Sequence, residues 1–215
     1  MSAFKSLVLD VDSTVTSIEG IDWLAARRDA GTAAWVADLT RRAMDGDLPL
    51  EAAYERRLLA IAPTREEIVA LADAYVAALV PGVGDVIARA RRAGVDVRLL
   101  SGGLQEAIVP LARVLGIPDA AVHAVPLAWT ADGRCLGVAD DAPLARAGGK
   151  PLVLGRLALD APVLAVGDGS TDAELAPHVA RFLAFTGVVR RPAVVAAATA
   201  EVTTFDDVLH HLGLA

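Results

Sequence analysis

Residues 6–14 read SLVLDVDST, an apolar run that ends in two aspartates. The apolar part, residues 6–11, predicts a short strand buried on both faces, because such strands show no polar alternation. Asp10 and Asp12 then lie at the carboxyl end of that strand. If the extended backbone continues through them, their side chains face the same way.

Strand-like and helix-like segments alternate in the second part of the chain. Further strands are predicted at 95–100, 121–127, 134–138, 163–166 and 182–185. Helices are predicted at 85–93, 104–115, 151–159, 171–176 and 205–212. This alternation predicts an α/β fold: a Rossmann-like parallel sheet with helices on both faces.

Residues 19–78 look helical throughout, and Thr64 with Glu67 forms a capping box at the start of one helix. We therefore expect a small helical cap at 16–78, inserted directly after the first strand. The remaining segments, 1–15 and 79–215, then form the α/β core.

Composition narrows the function. With 54% hydrophobic and 22% charged residues among 215, the chain can form a core. A net charge of −7 argues against a nucleic-acid partner, since that needs a basic face. Apolar runs fall far short of the ~20 residues of a membrane span, and acids come too early for a secretory signal. The single cysteine, Cys135, allows no internal disulfide, so we expect a cytoplasmic protein.

Polar clusters follow three predicted strands, where open α/β sheets bind their ligands. Asp10 and Asp12 suit a divalent cation, and an ionised aspartate can attack phosphorus without a base to activate it. Ser101-Gly102-Gly103, in a predicted strand-to-helix turn, suits a phosphate group. Residues 167–172, GDGSTD, offer two further carboxylates for magnesium.

Each cluster also has a structural interpretation. Aspartates, serines and glycines are common in solvated turns. Asp172 would be stabilised at a helix N-terminus in any case. Lys150, ahead of a predicted helix, is by itself an ordinary surface lysine. The functional interpretation depends on all the clusters occurring together, each at a strand end.

Together the clusters resemble the haloacid dehalogenase superfamily. DVDST at 10–14, LLSGG at 99–103, GGK at 148–150 and GDGSTD at 167–172 are similar to its four motifs, in the same order. The resemblance implies a Mg²⁺-dependent phosphomonoester hydrolase that works through an aspartyl-phosphate. It also implies roles for particular residues. Asp10 would be the nucleophile and a metal ligand, and Asp12 would be the general acid/base and would also hold the metal through its carbonyl. Asp168 would complete the metal ligands with support from Asp172, while Ser101, Gly102 and Lys150 would bind the phosphoryl group.

Residues 10–25 and 43–58 resemble, more narrowly, the branch of that superfamily that acts on L-phosphoserine. This resemblance implies that Glu19 meets the substrate ammonium and Arg57 the carboxylate, with further substrate contacts from Thr171, Met44 and Leu50. The chemistry agrees, because an arginine can bind a carboxylate in a bidentate fork. Glu19 and Arg57 also have the alternative of being solvated helical residues.

Leu50 departs from that branch, where this place is usually aromatic. Two alternatives to an L-phosphoserine hydrolase therefore stay open. One is a phosphatase or phosphotransferase for another small phosphorylated metabolite. The other is a non-catalytic sensor of a phosphorylated ligand. The sequence makes no prediction of the oligomeric state or of the order of strands in the sheet.

Overall fold

The computed structural model describes residues 2–215. Its strands are β1 (Ser6–Leu9), β2 (Asp96–Leu104), β3 (Val122–Val125), β4 (Leu127–Trp129), β5 (Cys135–Val138), β6 (Val163–Gly167), β7 (Arg181–Phe185) and β8 (Ala200–Val202). Its α-helices are α1 (Gly20–Ala25), α2 (Ala30–Met44), α3 (Leu50–Ile61), α4 (Arg65–Ala77), α5 (Val83–Arg92), α6 (Gln105–Val114), α7 (Gly149–Arg156), α8 (Ser170–Ala173), α9 (Pro192–Ala197) and α10 (Phe205–His211). No helix between residues 2 and 215 combines the length and apolarity needed to cross a bilayer.

Six strands form one parallel sheet in the order β3-β2-β1-β6-β7-β8. Every residue of β1 and β6 is buried, so the centre of the sheet is covered on both faces. This confirms the predicted Rossmann-like α/β class. On one side of β1 the sheet continues with β2 and then β3. On its other side β6 is followed by β7 and then β8. The point of reversal, between β1 and β6, is where open α/β sheets leave a crevice for ligands.

The predicted strands at 121–127 and 134–138 do not all join this sheet. β3 is its edge strand, whereas β4 and β5 pair antiparallel as a separate hairpin. The connection is short and turns at Gly133, which has a φ of +85°. A connection of this length can join antiparallel neighbours but cannot make the long crossover that parallel strands need.

Four helices, α1–α4, lie between β1 and α5 in the chain, and we call them the inserted helices. The two connections to the core run side by side: Thr16 bridges to Leu79, and the Val80 N–H donates to the Val15 carbonyl at 3.0 Å. The insertion therefore leaves and rejoins the sheet at one point, directly above the carboxyl end of β1.

The capping box expected from the sequence is present at the start of α4. The Thr64 side chain accepts from the Glu67 N–H at 3.2 Å, and the Glu67 carboxylate accepts from the Thr64 N–H at 2.9 Å. Arg28 adds a two-pronged ion pair to the same carboxylate, with both distances at 2.7 Å. These contacts satisfy donors at the helix start and tie α4 to the segment that follows α1.

Candidate active site

Strand register brings three of the polar clusters to one edge of the sheet. Leu9 on β1 pairs with Leu99 on β2 and with Val166 on β6. The residues that follow these positions therefore emerge together at the carboxyl edge. A cavity that is partly open to solvent lies there. Its lining includes eleven predicted site residues: Asp10, Asp12, Glu19, Met44, Leu50, Arg57, Ser101, Gly102, Lys150, Asp168 and Thr171.

Asp172, the remaining predicted site residue, lies behind this lining. Its carboxylate accepts from the Lys150 ammonium at 2.5 Å, and Asp10 accepts from the same ammonium at 2.7 Å. All three side chains are buried. Lys150 lies within the first turn of α7, because that helix begins two residues earlier than the predicted start at 151.

Carboxylate oxygens of Asp10, Asp168 and Asp172 lie within 4.8 Å of one another. Burial raises the pKa of Asp172 to about 6, with a further rise from the charge of Asp10, while Lys150 opposes both. Burial also raises the pKa of Asp168 well above its usual range. For Lys150, burial lowers the pKa, but the two neighbouring carboxylates outweigh it and the net shift is upward. The lysine is therefore a permanent cation, whereas the carboxylates resist being charged together.

The donor chemistry here fits a divalent cation. Five carboxyl groups lie at the site, whereas two cationic side chains contact them, Lys150 and Arg191. The acids are Asp10, Asp12, Glu19, Asp168 and Asp172. Clustered, buried carboxylate oxygens are the ligands that hard cations such as Mg²⁺ prefer, and a bound cation would favour their charged forms.

Within residues 2–215, hydrogen bonds reach one of the two carboxylate oxygens of Asp12. Its Oδ1 accepts from the Tyr75 hydroxyl at 2.7 Å and from the Gly20 N–H at 2.8 Å. Burial raises the pKa of Asp12 well above its usual range, and the charges of Glu19 and Asp10 raise it further. A carboxyl whose protonated form is favoured in this way is suited to giving a proton to a reacting group.

The Ser101-Gly102-Gly103 segment differs from the predicted turn. It is the last part of β2, which runs to Leu104 with a register shift against β3. Its backbone is extended, so close packing is the reason for glycine at 103: a Cβ there would lie 2.6 Å from Asp12 Oδ2. The Gly103 N–H donates to the buried Ser101 Oγ at 3.0 Å.

Arg57 and Glu19 lie in the same cavity. Arg57 is only 3% exposed, although it belongs to a helix with exposed neighbours. One of its terminal nitrogens, Nη1, donates to Thr40 Oγ1 at 2.7 Å, and the Thr40 hydroxyl donates to Asp22 at 2.5 Å. The Arg57 Nε is buried and has no partner within residues 2–215. The solvated interpretation of Arg57 is therefore wrong.

Glu19 accepts from the Ser13 hydroxyl at 2.7 Å. Burial raises its pKa, and the nearby charge of Asp22 adds to that rise. A carboxylate in this position gains from a cationic partner, because a cation offsets the cost of burying its charge.

Sequence reasoning missed several residues that complete the site. Arg191, which is 7% exposed, pairs with Asp168 and lies 3.4 Å from Asp45. Nothing in the sequence separates it from its neighbour Arg190, which pairs with Glu201 at the surface. Two tyrosines of the inserted helices, Tyr75 and Tyr54, also reach the core: they bond to Asp12 and to the Gly102 carbonyl.

Comparisons with known proteins agree with this geometry. The haloacid dehalogenase-like hydrolase family model matches residues 4–179. A phosphoserine phosphatase of Rattus norvegicus is 36% identical over 210 residues, covering 96% of this chain and 92% of the relative. A chloroplastic phosphoserine phosphatase of Arabidopsis thaliana is 35% identical over 213 residues, covering 97% of this chain and 72% of the relative.

Solved structures share the fold. A phosphoserine phosphohydrolase-like protein from Francisella tularensis has a TM-score of 0.88 at 23% identity. The match covers 96% of this chain and 98% of that one. Nearly all of the described fold therefore has a structural counterpart.

Proposed function

Because this chain belongs to the haloacid dehalogenase-like hydrolase family, we propose that it hydrolyses L-phosphoserine to L-serine and phosphate, with Asp10 as the nucleophile and Mg²⁺ as the cofactor. The observation that carries the proposal is the position of Asp10. Its carboxylate accepts a hydrogen bond from the Lys150 ammonium and lies within 4.8 Å of carboxylate oxygens of Asp168 and Asp172, at the strand edge where β1 ends. A buried anion in such surroundings is suited to attack a phosphoryl group once positive charge screens the two anions.

The phosphoryl group has a suitable cradle. Ser101, Gly102 and Lys150 line the cavity beside Asp10 and supply a hydroxyl, a backbone N–H and a cation. The carboxylates of Asp10 and Asp168 would hold the Mg²⁺ ion, together with the backbone carbonyl of Asp12. Asp172 would support this metal site. When bound, it supplies positive charge that screens the nucleophile from the phosphate and stabilises charge in the transition state.

The reaction proceeds in two displacements. An Asp10 oxygen forms a bond to phosphorus as the bond from phosphorus to the serine oxygen breaks, and Asp12 gives its proton to the departing oxygen. In the second step Asp12 takes a proton from water, whose oxygen attacks phosphorus. The bond to Asp10 then breaks and phosphate is released. The raised pKa of Asp12 supports both roles of this one carboxyl.

The amino-acid part of the substrate has two charged partners. We assign the carboxylate to Arg57, whose unpartnered Nε supports a contact beyond the one to Thr40. We assign the ammonium to Glu19. Met44, Leu50 and Thr171 complete the lining around the substrate. An aryl phosphate carries neither charged group, so these contacts distinguish L-phosphoserine from a generic phosphomonoester.

We further propose that the inserted helices act as a cap over the core, with the boundaries expected at 16 and 78. Side-by-side connections at Thr16 and Leu79 support this division. A cap that excludes bulk water would protect the phosphorylated aspartate until the second step. A single cysteine supports a reducing compartment, the cytoplasm, as the place of the reaction.

Phosphate release from L-phosphoserine, measured beside an aryl phosphate with and without Mg²⁺, tests the proposal. We expect Mg²⁺-dependent turnover of both substrates by the unmodified protein and none by Asp10→Asn. Arg57→Ala should lower kcat/KM for L-phosphoserine by at least about tenfold, the cost of a lost charged hydrogen bond, and leave the aryl phosphate nearly unchanged. Arg56→Ala is the matched control, because Arg56 is the exposed neighbour on the same helix.

Three outcomes would count against the proposal. Metal-dependent hydrolysis by Asp10→Asn would remove Asp10 as the nucleophile. Equal losses on both substrates in Arg57→Ala would remove the carboxylate contact. Release of phosphate from the aryl substrate but not from L-phosphoserine would leave a phosphatase for a different metabolite.

A further inference from the structure

Tyr54 connects the inserted helices to the phosphate side of the site. It lies on α3, one turn after Leu50, and both side chains line the cavity. The tyrosine is 2% exposed, and its hydroxyl donates to the Gly102 carbonyl on β2 at 2.7 Å. The guanidinium carbon of Arg57 lies 5.3 Å from the centre of its ring.

The acceptor of this hydrogen bond belongs to a peptide unit with a second partner in the site. The Gly102 carbonyl and the Gly103 N–H are the two ends of one peptide group. That N–H donates to Ser101 Oγ at 3.0 Å. Hydrogen bonds in such a chain polarise one another, so a donor at the carbonyl strengthens the N–H as a donor at the other end.

These hydrogen bonds leave the Ser101 hydroxyl with a hydrogen to donate. Its oxygen already accepts a bond from the Gly103 N–H, and its hydrogen is donated to no protein group within residues 2–215. Ser101 is fully buried at the cavity wall. The hydroxyl hydrogen is therefore available to be donated into the cavity, and an anionic phosphoryl oxygen requires such a donor.

We propose that Tyr54 is a positioning residue for the phosphate site: through the Gly102–Gly103 peptide it orients the Ser101 hydroxyl as a donor to the phosphoryl group. This role rests on the phosphatase activity proposed above. Because Tyr54 comes from the inserted helices and Ser101 from the core, phosphate binding is coupled to the placement of α3 over the sheet. Burial raises the pKa of Tyr54, so its hydroxyl stays a proton donor.

Tyr54→Phe is the direct test, because it removes one hydroxyl and keeps the buried ring. One hydrogen bond corresponds to roughly a fivefold effect. We expect kcat/KM to fall about fivefold for L-phosphoserine and equally for p-nitrophenyl phosphate, since both present the same phosphoryl group. The inhibition constant of inorganic phosphate should rise by a similar factor. Glu55→Gln, an exposed change next to Tyr54 on α3, should leave all three values unchanged.

A double-mutant cycle with Ser101→Ala separates positioning from general destabilisation. If Tyr54 acts through Ser101, adding Tyr54→Phe to Ser101→Ala should change phosphate affinity less than about twofold, because the residue to be positioned is gone. Calorimetric titration of inorganic phosphate gives this value even where turnover is slow. Thermal unfolding of the four proteins of the cycle, which are the wild type, the two single variants and the double variant, shows whether each is folded.

The outcomes are distinguishable from failure of the proposed function. Wild-type activity on the aryl phosphate without activity on L-phosphoserine would overturn the proposed substrate and still allow the cycle to be completed. Unchanged constants in Tyr54→Phe would overturn the positioning role. So would a loss confined to L-phosphoserine, or a full fivefold effect that persists in the Ser101→Ala background.

Discussion

Replacement of Asp172 by asparagine should become more stabilising, relative to the wild type, as pH rises, provided that the protein is free of metal. Asp172 is buried beside Asp10 and Lys150, and its pKa is raised from an ordinary 3.8 to about 6. The folded protein therefore holds this proton over a pH range in which the unfolded chain releases it. Above that range, folding must bury the charge.

The sign and size follow from linkage. The folded state binds more protons than the unfolded state between about pH 4 and pH 6, so the free energy of unfolding falls as pH rises through this window. At about 1.4 kcal/mol per pH unit, the rise in pKa corresponds to a cost of about 3 kcal/mol at pH 7 and about 0.5 kcal/mol near pH 4. Asparagine resembles the neutral carboxyl and carries no such pH dependence.

Urea unfolding of the two proteins after treatment with a chelator, at about pH 4, 5, 6 and 7, measures this difference. We expect the stability of Asp172→Asn relative to the wild type to rise by about 2.5 kcal/mol across the series. Mg²⁺ at about 100 times its Kd should stabilise the wild type by about 2.7 kcal/mol at pH 7, because it binds the charged site. A difference that is flat with pH, or no response to Mg²⁺, would refute this account of the acidic cluster.

Three further changes test single contacts. Thr40→Val removes the acceptor of the hydrogen bond from Arg57 Nη1. KM for L-phosphoserine should therefore rise about fivefold, while the kinetics with the aryl phosphate stay unchanged. Thr40→Ser keeps the hydroxyl and should restore the wild-type KM. Gly103→Ala places a Cβ 2.6 Å from Asp12 Oδ2, so phosphate release should fall at least about tenfold. Arg191→Met leaves a buried carboxylate unpaired, so the chelator-treated protein should lose about 3 kcal/mol in urea unfolding, part of which Mg²⁺ restores.

Local sequence patterns predicted both the sheet and the position of the acids, because burial of the strands determines where charged residues can occur. A strand buried on both faces is mainly apolar, so the first charged residue after it marks its end. Asp10 and Asp168 directly follow the buried strands β1 and β6, and Ser101 reaches the same edge in the last part of β2, because the three strands pair in parallel. Which strands become neighbours depends on packing between distant segments, and the order β2-β1-β6 accordingly had no local signal.

The wrong and missing predictions have a different origin. Ser and Gly are typical of turns, yet residues 101–103 continue β2. Glycine is required at 103 because the Asp12 carboxylate packs against the backbone there. Arg191 is indistinguishable from Arg190 in the sequence, and only the fold buries one and exposes the other. Tertiary contacts of this kind have no periodicity, so a pattern search cannot detect them.

The tyrosines of the inserted helices show why the chemistry depends on more than the four motifs. Tyr75 and the Gly20 N–H occupy one oxygen of Asp12, and Tyr54 acts on the Gly102 peptide. The proposed acid/base group and the proposed phosphate cradle thus both take hydrogen bonds from the inserted segment. If those helices moved away, Asp12 would gain solvent and its pKa would fall toward the usual range, because burial is the main cause of the rise. In the proposed mechanism, proton transfer and exclusion of water therefore both depend on the placement of the inserted helices over the core.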